Sequence, residues 1–82
     1  MIRYTKHALT RLEERNIARE TIEELLDKPD YILKSKLGRR IAIKRIGDKY
    51  LKVVYVTEGD IIVLTALWLT RLRAKDKLYE DV

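Results

Sequence analysis

The chain contains no cysteine and only one histidine among its 82 residues. Without thiols there is no disulfide framework and no thiolate cage for a metal, and a reducing compartment is compatible. A single imidazole with no cysteine also argues against a transition-metal site, so no metal and no cofactor are expected. Long apolar runs are missing as well. The longest, Ile61 to Leu69, is interrupted by Thr65, and the start Met1-Ile2-Arg3-Tyr4-Thr5-Lys6 lacks the apolar centre of a signal peptide. The expectation is a cytoplasmic protein without a membrane segment.

Charge is plentiful. Eighteen Lys and Arg face thirteen Asp and Glu, a net charge of +5. A basic domain attracts polyanions, nucleic acid foremost, and an acidic protein inhibitor would satisfy the same charge. The alternative is a surface of ion-pair networks, which 38% charged residues also fits. The length allows one domain with a thin core. The expected division is a core over residues 1–69 and a basic extension over 70–82, with no repeat and no linker.

Thr5 is suited to cap a first helix running to about Arg15, with Asn16 at its end. Arg19 to Asp27 reads as a second helix with Ile22, Leu25 and Leu26 on one face, stopped where Lys28 precedes Pro29. Beyond Pro29 the period shortens to that of strands. Tyr31 to Ser35 is one. Arg40 to Ile46 alternates, with Ile41 and Ile43 on one face and Arg40, Ala42 and Lys44 on the other. Gly47-Asp48 is a two-residue turn into Lys49 to Thr57, where Leu51, Val53 and Tyr55 share a face opposite Tyr50, Lys52, Val54 and Val56. Ile61 to Trp68 is apolar on both faces, as in a strand covered twice. The predicted fold is α+β in the order α-α-β-β-β-β, a helical hairpin on one face of a four-stranded antiparallel sheet. Leu69 to Val82 reads as a tail or a short third helix.

The first helix carries the chemistry. At about 100° per residue, His7, Arg11, Glu14 and Arg15 fall within an arc of roughly 100°, a polar stripe beside the apolar face. RNA cleavage without a metal needs a base for the 2′-hydroxyl, an acid for the leaving 5′-oxygen and cations for the crowded phosphorane. Histidine is the residue type that titrates nearest neutrality, so His7 is the candidate acid or base; a hydrogen bond to the sheet is its plainer role. Arg11 and Arg15 could hold the phosphate bidentately, or pair with Glu14 and with the second helix. Glu14 could orient His7 or act as the base itself, and an ion pair is its plainer role. Thr65, a hydroxyl in an apolar strand, needs a partner that His7, Arg11 or a neighbouring strand could supply. Lys44 and Lys52 could track phosphates or simply be solvated, Tyr55 could stack a base or pack in the core, and Arg71 and Arg73 make the extension basic.

Lys6-His7-Ala8, Arg11 and Glu14-Arg15-Asn16-Ile17 resemble the opening helix of the domain-of-unknown-function family DUF4258. Lys28-Pro29-Asp30, Leu51-Lys52-Val53-Val54-Tyr55 and Ile61-Ile62-Val63-Leu64-Thr65-Ala66 are similar to its later motifs, in the same order, over about residues 4 to 68. Asn16 stands where glycine is usual and can take the same left-handed backbone. Ala18 replaces the usual Thr or Ser cap, and the basic extension is outside the pattern. The family is placed near the RelE/ParE-like toxins. The resemblance therefore implies a RelE-like fold, a toxin that cleaves RNA, on or off the ribosome, and an acidic antitoxin protein as partner. Gyrase inhibition is also compatible. The alternative is a non-catalytic basic module that binds nucleic acid or a protein.

Overall fold

The computed structural model describes residues 1–72. Two helices, α1 (Lys6–Glu14) and α2 (Arg19–Asp27), follow a first strand β1 (Ile2–Tyr4) and precede β2 (Tyr31–Lys34), β3 (Arg40–Ile46), β4 (Lys49–Glu58) and β5 (Asp60–Leu69). The sheet has the order β1-β5-β4-β3-β2. β1 runs parallel to β5 and every other pair is antiparallel. The architecture is α+β, but the expected four-stranded antiparallel sheet is corrected to five strands in a mixed sheet. The strand overlooked is β1. Three residues carry no measurable period, and Ile2↔Ile61, Arg3↔Ile62 and Tyr4↔Val63 are joined only when the distant β5 lies alongside. The tail or third helix expected beyond Leu69 falls mostly on residues 73–82, outside the described residues.

The helices form where their ends are satisfied. Thr5 is extended, and its side-chain oxygen accepts from the Ala8 N–H at 3.0 Å. Such a cap contributes about 1 kcal/mol. α1 ends as Asn16 turns left-handed (φ 53°), which lets the Ile17 N–H reach the Leu12 carbonyl at 2.9 Å. Ala18 offers α2 no side-chain cap, and Lys28 closes it just ahead of Pro29. Gly47 takes positive φ (67°) as the first residue of the β3–β4 turn, where a side chain would be strained.

Both faces of the sheet are apolar, and they are covered differently. Ala8, Leu12, Ile17, Ile22 and Leu25 from the helical side pack on Ala42, Leu51, Val53, Tyr55, Val63 and Ala66. On the far face Ile41, Ile43 and Val54 are buried, with Leu33, Tyr50, Leu64 and Leu72 packed against them. Leu72 thus belongs to the far face. One irregularity shapes that face. Val54 pairs with Thr65 while Tyr55 pairs with Val63, so Leu64 is an extra residue and β5 carries a bulge. The bulge changes which residues of β5 face the helices, from odd-numbered (Ile61, Val63) to even-numbered (Ala66, Trp68). A strict two-residue alternation could not have shown this.

Candidate functional site

α1 lies beside β5 where β1 stops. β1 pairs only with residues 61–63, so among the described residues the next part of the β5 edge has no strand beside it. Side chains on and beside α1 meet that edge instead. The Thr5 N–H donates to the Val63 carbonyl at 3.1 Å, and the Thr5 hydroxyl reaches the Leu64 carbonyl at 3.5 Å. Arg15 Nη1 donates to the Ala66 carbonyl at 2.7 Å, and Trp68 Nε1 returns a bond to the Arg15 carbonyl at 3.0 Å. The helix substitutes for the missing strand.

This seating brings the start of α1 to the bulge. A hollow of about 340 Å³ opens there, lined by Thr5, His7, Arg39, Val54, Leu64 and Thr65. Each wall has a local cause. The bulge turns Leu64 and Thr65 toward the same side, Val54 faces them from β4, and the cap residue Thr5 holds the helix start in place. His7 is exposed, whereas Thr65 is only 8% exposed. An imidazole and a guanidinium at a solvent-reachable hollow can exchange a proton and hold a phosphate oxygen.

The stripe read on the first helix divides in the folded chain. His7 and Thr65 come together in the hollow. Arg11 does not line it; its Nη1 donates to Glu14 Oε1 at 2.8 Å, so the plainer ion-pair role holds for both. Arg15 is held on β5 by its bond to the Ala66 carbonyl and also lies outside the hollow. The convergence of His7, Arg11 and Arg15 on one hollow is therefore corrected: successive helix positions spread along the β5 edge, and only the first reaches the bulge.

The phosphate track of Lys44 and Lys52 is corrected in the same way. Lys52 pairs with Ile43 on the far face and is 4% exposed. Lys44 lies on the helix face, where its Nζ donates to the Lys28 carbonyl at 2.9 Å. The two lysines lie on opposite faces in the middle of the sheet, so no single track reaches both. Tyr55 is buried in the helix-side core, its plainer role. Arg71 is exposed, and Arg73 lies outside the described residues.

A family model described as a domain of unknown function, DUF4258, matches residues 4–68. The chain belongs to the DUF4258 family. No curated protein and no solved structure matches it. The matched span of this DUF4258 chain contains every residue lining the hollow.

One of those residues was not singled out from the sequence. Arg39 precedes β3 and continues the alternation of Ile41 and Ile43, which sets it on the far face. That alternation was the signal available. What hid it was the bulge, which decides that the far face at Val54 is where a site forms. Among the described residues of this DUF4258 chain, no group of three or more His, Cys, Asp or Glu side chains is placed to hold a metal ion. No helix there is long and apolar enough to cross a membrane.

Proposed function

We propose that the chain is a small endoribonuclease of toxin type, held in check by an acidic antitoxin protein, and that the reaction occurs in the hollow at the β5 bulge. The observation that carries this reading is the presence of His7 and Arg39 in one open hollow with the hydroxyl-bearing Thr5 and Thr65. The net charge of +5 favours a polyanionic substrate.

The reaction is an internal transesterification. The 2′-oxygen of a ribose bonds to the adjacent phosphorus, and the bond from phosphorus to the 5′-oxygen breaks. The 2′-hydroxyl proton passes to His7 and is returned to the departing 5′-oxygen, leaving a 2′,3′-cyclic phosphate and a 5′-hydroxyl. Arg39, in the wall of the hollow, supplies positive charge to the phosphoryl oxygens. Arg11 and Arg15 serve at a distance in this scheme, the first as a surface charge and the second by fixing α1 on β5.

The test is cleavage of messenger RNA by purified protein, with and without ribosomes and in the presence of a chelator. The parent is expected to produce cyclic-phosphate ends, and His7→Ala to lower the rate by about 10²-fold or more while keeping the fold. Arg39→Ala is expected to cost about 10²-fold. Absence of cleavage under both conditions, or cleavage indifferent to His7→Ala, refutes the proposal. Binding without cleavage would identify the non-catalytic basic module. One observation favours that second reading: among the described residues His7 is the only imidazole or carboxylate lining the hollow, so both proton transfers fall to one group.

A further inference from the structure

The hollow at the bulge has a neighbour. A second depression, of about 230 Å³, is lined by Lys34, Ser35, Gly38, Arg39 and Arg40. It sits on the turn between β2 and β3, and Arg39 lines both hollows. The turn is built firmly. The Ser35 N–H donates to the Arg39 carbonyl at 2.9 Å, so the two ends of the turn are tied together. Between them Leu37 takes a left-handed backbone (φ 64°) followed by Gly38 (φ 74°), and the Leu37 side chain is 86% exposed. A leucine held left-handed is strained, and one displayed to water beside three cationic side chains gains nothing from the core. Lys34 is exposed, and Arg39 and Arg40 are half-buried.

We infer that this turn is a second phosphate subsite, which rests on the reading of the His7 hollow as the place where RNA is cut. A single-stranded polynucleotide places one phosphate at His7 and a later one at Lys34 and Arg40, which pair with each other on the helix face, so it crosses the open end of β2 and β3 beside Arg39. The cationic depression supplies position rather than sequence, as phosphate contacts do. Leu37 offers an apolar surface to the flat face of a base splayed from the backbone. RNA is favoured over an acidic peptide because the two depressions share one guanidinium at the strand ends, an arrangement suited to separate phosphates of one backbone.

The experiment uses a labelled ten-nucleotide RNA with 2′-O-methyl riboses, which binds but offers no 2′-hydroxyl to react. Affinity is followed by fluorescence anisotropy across a salt series. The double variant Lys34→Ala with Arg40→Ala is expected to weaken binding roughly tenfold and to flatten the slope of log K against log salt by about 1.4, the value for two lost contacts to a single strand. Lys49→Ala removes an equal kind of charge from the β3–β4 turn, at the other end of these strands, and is expected to leave the slope unchanged. His7→Ala in the same assay separates the two proposals. If no RNA is ever cleaved but the double variant still loses affinity, the subsite stands without the enzyme. An unchanged slope in the double variant, or an equal loss from Lys49→Ala, overturns the subsite. So does failure of the parent to bind at low salt. Displacement of the RNA by polyglutamate with equal potency per charge would assign the turn to an acidic protein instead.

Discussion

The two faces of the sheet solve different problems with the same alternation. On the helix face, Leu51, Val53, Val63 and Ala66 meet Ile22, Leu25 and Leu12, and all seven are buried. On the far face the apolar cluster is small, centred on Ile41, Ile43 and Val54, and it gives way at the bulge to His7, Thr65 and Arg39. The helix face is committed to stability. The far face divides its residues between a core and an open hollow, and the division falls where β5 breaks its own period. In this chain the polar site therefore sits at the edge of a packed cluster, where one extra residue set two successive side chains on the same face.

That contrast can be broken most forcefully from the helix side. Leu51 is fully buried beneath the helices. Leu51→Ala is expected to cost about 3 kcal/mol, measured by urea unfolding. A loss below about 1 kcal/mol would mean that the helix face is loosely packed and the contrast between the faces is false.

A smaller effect separates the two arginines of α1. Arg15→Ala leaves the Ala66 carbonyl without its 2.7 Å donor at the uncovered β5 edge and is expected to cost about 1 kcal/mol. Arg11→Ala removes only a surface pair with Glu14, a bond between partly exposed groups, and is expected to change stability by less than about 0.5 kcal/mol. Equal losses from both would show that α1 is not seated on β5 by Arg15.

The smallest effect concerns Tyr4. Its hydroxyl is buried with no hydrogen-bond partner, and Arg19 lies over the ring at 5.4 Å. Burial raises its pKa above the ordinary 10.0, with the Glu23 charge adding to the rise. The folded state then holds the phenol proton more tightly than the unfolded chain. Stability from this group should be fully present below about pH 10 and be lost as pH climbs past that value. Tyr4→Phe deletes both the unpartnered hydroxyl and the titration. It is expected to be neutral or slightly stabilising near pH 8, and to lose less stability than the parent between pH 8 and about 10.5 in paired denaturation curves. A marked destabilisation at pH 8 would instead reveal a partner for that hydroxyl.

Much of the local structure was legible in residue order. Thr5, Asn16 and Pro29 mark the bounds of the helices because capping and left-handed backbone are properties of single residues and their neighbours. The faces of β3 and β4 followed from alternation, with Ala42, Val53 and Tyr55 toward the helices and Ile41, Ile43 and Val54 away from them. The site was legible only in part. His7 and Thr65 stand out in sequence as a lone imidazole and a lone hydroxyl in an apolar run, and they line the same hollow. Arg11 and Arg15 share the helical stripe with His7, but the stripe is longer than the hollow.

Residue order alone determined the helices, the alternating strands, the basic charge and the isolated histidine, since each depends on chemistry within a few positions of the chain. The tertiary structure decided the rest: the parallel seat of β1 on β5, the bulge at Leu64, and the placing of His7 and Arg39 around one hollow. Those outcomes depend on which distant backbone edges satisfy one another's hydrogen bonds, and no local pattern encodes that choice.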